Sequence, residues 1–186
     1  QVRATAHPDG IHVAWNAATN GFTPTHYVVQ RSADGRGFGA PLAVTNALDV
    51  LLTDIPAGST AFFRIAAVNA GGESAPSTVV ACRWDPEAPR VLLVDAFDRQ
   101  DRFLNPRQTL QGPVIERVQP ARSNDRDSLV EHALALAASG VAFDSSHSHA
   151  VGNGRVNLAA YDGIVWAAGN ESTADETFSA SERARV

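Results

Sequence analysis

The chain contains no lysine and no methionine, and its 15 basic residues are all arginine. A single cysteine, Cys82, stands among 186 residues, which excludes an internal disulfide and a cysteine-built metal cluster. No apolar run approaches the roughly 18 residues that a membrane-spanning helix requires. Basic charge is also short: the net charge of −5 argues against a nucleic-acid partner, because phosphate binding needs a basic surface. The first residues, Gln1-Val2-Arg3, are neither a start methionine nor a signal peptide, so a processed chain or an excised piece is expected. What remains is ordinary for a globular protein, with 44% hydrophobic and 19% charged residues. The length suits one large domain or two small ones.

The period of the apolar pattern changes near residue 86. Before it, short stretches alternate apolar and polar residues. Ile11, Val13 and Trp15 share one strand face, opposite His12 and Asn16. Tyr27 and Val29 repeat the pattern, as do Phe63, Ile65 and Ala67 opposite Arg64 and Val68. Turn signals separate the runs: Pro8-Asp9-Gly10, Ala33-Asp34-Gly35, Pro56-Ala57-Gly58 and Asn69-Ala70-Gly71-Gly72. Regular short strands of this kind predict a β-sandwich.

Trp15, the run His26 to Arg31, and Phe63 to Asn69 followed by Gly72-Glu73-Ser74 make residues 1–84 resemble a fibronectin type III domain. The resemblance implies an all-β sandwich that does no chemistry. It also implies a tyrosine at the corner before the sixth strand, where this chain has Ala61. The corner therefore lacks one hydrogen bond, worth on the order of 1 kcal/mol.

Asp85-Pro86-Glu87-Ala88-Pro89 reads as a stiff, exposed linker, residues 85–89. Beyond it the pattern becomes α/β. Arg90 to Asp95 is a continuous apolar run, as in a strand buried on both faces. Asp127 to Ser139 reads as a helix with Gly140 past its end, Val141 to Asp144 as a second strand, and Tyr161 to Ala168 as a third. Ser179 and Glu182 have the spacing of a capping box. Three strands fall short of the five or more of a doubly wound sheet, so residues 90–186 read as the N-terminal part of a truncated domain.

Four stretches carry a second resemblance: Val94 to Arg99; Asn124-Asp125 with His132; Phe143 to Ser146; and Tyr161-Asp162 through Gly169-Asn170-Glu171-Ser172, with Thr177 to Ser179 and Glu182 to Ala184 behind. Residues 90–186 are similar to the α/β domain of xanthan-lyase-like, or golvesin-type, proteins of bacteria. That domain is itself similar to the class I glutamine-amidotransferase-like, flavodoxin-like fold. The resemblance implies a parallel sheet and a nucleophile on an elbow beyond Val186. No G-x-S-x-G elbow occurs within the chain.

In open α/β sheets, ligands bind outside the carboxyl ends of the strands. Asp95, Asp98 and Arg99 follow the first predicted strand, and Asp144, Ser145, Ser146, His147, Ser148 and His149 end or follow the second. Asn170, Glu171 and Ser172 follow the third. The candidate catalytic set is Asp95, Asp98, His132, Asp144, Ser146 and Glu171. The candidate substrate-binding set is Arg99, Asn124, Asn170 and Ser172. The same residue types also cap helices and bind loop amides, and His132 could bond a neighbouring carbonyl. His147 and His149 have the H-x-H spacing of zinc ligands, but they lack an identifiable third ligand and lie outside the family pattern. No metal and no cofactor is expected.

Together these features predict part of a secreted or cell-surface bacterial protein that acts on an extracellular or cell-envelope polymer, either polysaccharide or peptidoglycan. Hydrolysis is the expected chemistry if it is an enzyme. A non-catalytic matrix or adhesion protein, with the sandwich as spacer, is the alternative. The truncated sheet predicts a further polypeptide that completes the α/β part.

Overall fold

A computed structural model describes residues 1–18, 23–85, 90–99, 107–109, 111–116, 126–170 and 176–186. The prolines of the expected linker, Pro86 and Pro89, lie outside the described residues. The first stretch forms strands β1 (Val2–His7), β2 (Gly10–Trp15), β3 (His26–Ser32), β4 (Ala43–Thr45), β5 (Asp49–Leu52), β6 (Thr60–Asn69), β7 (Gly72–Glu73) and β8 (Val80–Arg83). The second contains β9 (Arg90–Asp95), the hairpin β10 (Arg107–Thr109) and β11 (Val114–Glu116), α1 (Leu129–Ala138), β12 (Ala142–His147), α2 (Ser148–Gly152), β13 (Gly163–Ala167) and α3 (Ala180–Arg183).

The predicted sandwich is present. One sheet runs β1-β2-β5 and the other β8-β6-β3-β4, both antiparallel. The alternating residues point inward: Val2, Ala4, Ile11, Val13, Trp15, Tyr27, Val29, Phe63 and Ile65 share one core. Trp84 packs against that core as well. Gly10 closes the β1–β2 hairpin at φ +150°, and a Cβ there would stand 2.0 Å from the Leu52 carbonyl oxygen. Only glycine fits such a conformation so close to backbone.

The two stretches are not packed as separate bodies. β12 lies parallel to β9 along one edge, from Ala142 opposite Arg90 to His147 opposite Asp95. Its other edge pairs antiparallel with β1 at Ser145 and Ser146, and with β8 at Phe143. β12 thus bridges the neighbouring edges of both sandwich sheets and draws them into one continuous sheet. Edge strands present unpaired backbone groups, and β12 satisfies those of β1 and β8 at these positions.

A second core sits on the outer face of the sandwich. Phe62, Val79 and Ala81 would face solvent in an isolated sandwich. Here they pack against Leu93 of β9, Phe143 of β12 and Leu129, Val130 and Ala133 of α1. The opposite face of β9 presents Leu92 and Val94 to Val151 of α2, with Val156, Leu158, Tyr161 and Trp166 around them. The parallel strands run in the order β13-β9-β12. The chain leaves β9 in one direction to form β12 and returns past it to form β13. Right-handed crossovers in opposite directions place their connections on opposite faces, as α1 and α2 are placed.

Three boundaries differ from the sequence reading. β12 continues to His147 rather than ending at Asp144, because both of its edges are paired and the added residues have backbone partners. The third strand begins at Gly163, two residues after Tyr161. The helix begins at Leu129 rather than Asp127, and stops at Gly140, whose φ is +73°. β13 pairs with β9 alone among the described residues, and Ile164 on it is 43% exposed.

Uncovering a buried phenylalanine costs about 1.5–3 kcal/mol. Residues 1–84 prepared alone should therefore melt about 10 °C below the whole chain. After proteolysis within residues 86–89 the two pieces should still co-elute on gel filtration. Separation of the pieces, with an unchanged melting temperature for the first, would contradict the shared core.

Candidate functional site

Among the described residues, polar side chains of the second stretch gather in three places, one of them a cleft. The first lies at the amino ends of the parallel strands. Asp144, 1% exposed, is the third residue of β12. Its Oδ1 accepts from the Ala6 backbone N–H at 2.6 Å and from Cys82 Sγ at 3.6 Å. Its Oδ2 accepts from the Tyr161 hydroxyl at 2.9 Å and from the Arg90 guanidinium. Burial, then the Asp144 charge, pushes both the Tyr161 hydroxyl and the Cys82 thiol up. Cys82 is therefore a protonated thiol at neutral pH, and poorly suited to act as a nucleophile.

The second place is around Asp95, 2% exposed at the end of β9. Its carboxyl takes Thr78 Oγ1 from the sandwich and Ser128 Oγ at 2.8 Å from the start of α1. Burial raises its pKa against the opposing pull of those bonds. Thr78 Oγ1 also lies 3.2 Å from the Arg126 carbonyl oxygen.

The third place is a cleft of about 320 Å³ past the carboxyl ends of the strands. Asp98 comes from the segment after β9, Ser148 and His149 from α2 after β12, and Glu176, Ser179 and Glu182 from the segment after β13. Glu182 is 5% exposed, and its carboxylate accepts the Ser179 amide at 2.7 Å in a complete capping box. Burial pushes its pKa up, but the Ser179 amide and the Ser148 and Ser179 hydroxyls outweigh this and hold it below the usual range. His149 Nε2 stands 3.9 Å from Asp98 Oδ2. The His147 ring lies 4.8 Å from that of His149, and its Nδ1 accepts the His149 amide as the cap of α2. Burial, with the neighbouring His149, lowers the His147 pKa to about 4, so at neutral pH it is an uncharged acceptor.

Asp98 lines the cleft. Asp95, although it ends β9, turns toward the sandwich. Asp144 and Ser146 are in-strand and buried, and Ser146 Oγ donates to the His147 carbonyl at 3.1 Å. His132 is exposed on α1, Asn170 is exposed after β13, and Arg99 is partly buried and engaged with neighbours. Asn124, Glu171 and Ser172 lie outside the described residues. Ser148 belonged to the expected polar cluster but to neither the catalytic nor the substrate-binding set, and Glu176 and Glu182 were not among the expected site residues. The capping-box spacing marked Glu182, but as a helix start only. No group of three or more metal-ligating side chains occurs among the described residues.

The fold so described is a β-sandwich extended through its strand edges by three parallel strands. No protein-family model matches the chain, and no curated protein matches its sequence. Among solved structures it is similar to the sixth fibronectin type III domain of a human fibronectin type III domain containing protein 3. That likeness has 20% identity and a TM-score of 0.41, and covers 47% of this chain and 83% of that one. It is similar to an Fn3-like protein from Clostridium thermocellum at 23% identity and a TM-score of 0.38, over 42% of this chain and 82% of that one. It is also similar to a β-1,2-glucanase from Parabacteroides distasonis at 24% identity and a TM-score of 0.40, over 46% of this chain and 12% of that one. Each likeness spans less than half of this chain and says nothing of its activity.

His147 gives a test by pH. Its folded pKa, about 4, lies below the ordinary 6.5, so between those values the unfolded chain binds more protons. Stability should then fall as pH drops from about 6.5 to 4, with His147 contributing on the order of 2 kcal/mol. His147→Asn, which keeps a capping acceptor, should flatten that part of the curve in urea denaturation. An unchanged slope would show that the buried neutral ring is misassigned.

Proposed function

We propose that this chain belongs to a bacterial extracellular or cell-envelope protein and engages a polymer, polysaccharide or peptidoglycan, at the carboxyl-end cleft. In this reading residues 1–84 are a fibronectin type III module. Residues 90–186, joined through residues 85–89, are the N-terminal part of a xanthan-lyase-like, amidotransferase-like α/β domain. One observation supports the reading above others: Asp98, Ser148, His149 and Glu182, drawn from behind three different parallel strands, line one cleft. That is where open α/β sheets bind ligands. Its carboxylates and hydroxyls suit the hydroxyl and amide groups of such a polymer. Hydrolysis would use a nucleophile outside these residues. A second polypeptide segment pairing with the edge of β13 away from β9 would complete the sheet and cover Ile164.

A non-catalytic reading has its own support. Asp95, Asp144 and Ser146 are buried and bonded within the protein, which leaves them to hold the fold. The sandwich then acts as spacer or interaction module in a matrix or adhesion protein. No helix among the described residues is long and apolar enough to cross a membrane.

Sedimentation with insoluble peptidoglycan and with polysaccharides, paired with an assay for released product, separates these readings. Binding should weaken about tenfold on combining Asp98→Asn with His149→Ala, since both would lose charge-assisted bonds. Product release by the full-length protein marks the hydrolase, and binding by the full-length protein without release marks the scaffold. Binding that ignores the double substitution would remove the cleft from consideration.

A further inference from the structure

A second hollow, of about 590 Å³, lies on the outer face of β1, β2 and β5, away from the carboxyl-end cleft. Its floor is fixed by register. Arg3 of β1 stands opposite Ala14 of β2, and Ala14 stands opposite Asp49 of β5. These three side chains share the face away from the core, since Val2, Ala4, Val13 and Trp15 point inward. Ala14 itself is buried, at 2% exposure, and lies beneath the flanking Arg3 and Asp49. Arg3 and Asp49 are two strand spacings apart, about 9.5 Å in backbone terms. Arg155, in the segment after α2, completes the wall on the Arg3 side.

The charges in this hollow are only half matched. Asp49 is bonded to His12 Nε2 at 2.9 Å. Arg3 and Arg155 stand within ion-pair distance of no carboxylate among the described residues, whereas Arg31, Arg36, Arg90 and Arg183 each have one. Burial, and then repulsion by Arg155, lowers the Arg3 pKa, with Asp49 opposing. Two guanidinium groups that disfavour one another across a shared hollow are stabilised by an oxyanion between them, and Arg binds carboxylates in bidentate fashion. The far wall, with Asp49 and His12, offers acceptor and donor positions for hydroxyl groups.

We propose that this hollow binds a hydroxyl-bearing carboxylate, a sugar acid of the uronate class. Its carboxylate lies between Arg3 and Arg155, and its hydroxyls against Asp49 and His12. An inorganic oxyanion shares the first contact but none of the others. A neutral sugar shares the others but not the first. The inference is independent of the carboxyl-end cleft, and failure of either leaves the other standing.

Isothermal titration of the whole chain with galacturonate, galactose and inorganic sulfate tests it. Galacturonate should bind at least about tenfold more tightly than either of the other two. Arg155→Gln, on an exposed loop, should weaken it about tenfold without altering the melting temperature. Asp49→Asn, which alters the hydroxyl-binding wall, should weaken galacturonate binding about tenfold yet leave weak sulfate binding. Sulfate binding as well as galacturonate would show a bare anion site and overturn the proposal. So would absence of galacturonate binding, or indifference to Arg155→Gln.

Discussion

The buried carboxylate of Asp144 is the contact on which the arrangement of this chain depends. It receives the backbone amide of Ala6 from the first strand, the Cys82 thiol from the last sandwich strand, the Arg90 guanidinium from the first parallel strand and the Tyr161 hydroxyl from before the third. A carboxylate removed from water is costly unless its lone pairs are matched by donors. Here they are matched by groups from both stretches of the chain. Placing those groups together fixes where β12 lies, and β12 is the strand that pairs with β1, β8 and β9. The polar contact selects the register, and the apolar core around Phe62, Phe143 and Val130 supplies most of the attraction.

This division of labour shapes the candidate sites. With β12 locked between the sandwich edges and β9, its carboxyl end delivers Ser148 and His149 to the cleft shared with Asp98 and Glu182. The same strand, lying beside β1, brings the segment after α2 over the outer face of the sandwich, where Arg155 approaches Arg3. Both hollows therefore depend on the docking of the parallel strands to the sandwich, and neither would exist on separated modules. Asp95 contributes to that docking from the other face of β9, through Thr78 and Ser128.

Much of the sandwich was legible because a period of two reports which face is buried. Ile11, Val13, Trp15, Tyr27, Val29, Phe63 and Ile65 all point where alternation places them. The parallel run Arg90 to Asp95 was legible for the opposite reason, an unbroken apolar stretch. What alternation could not report was cover arriving from distant sequence. Phe62 beside Phe63, and Val28 beside Val29, are apolar on both faces, which hints at a second layer without saying what supplies it. The site residues were harder still. Asp144 was read as the end of a strand and Ser146 as a loop residue, because serine usually is one. The pairing of both β12 edges draws Ser146 into the strand as well. Glu182 was visible as a helix cap, and its approach to Ser148 depends on the packing of α2 against α3.

The account is tested most directly by the stability of an Asp144→Ala variant in urea, compared with Asp98→Ala on the exposed rim. Removing Asp144 leaves the Ala6 amide and the Tyr161 hydroxyl without their acceptor and Arg90 without its counter-charge. The account predicts a loss of about 3 kcal/mol. Asp98→Ala should stay within about 0.5 kcal/mol of the native chain, as exposed substitutions usually do. Equal, small effects from the two would contradict the claim that the Asp144 carboxylate fastens the parallel strands to the sandwich.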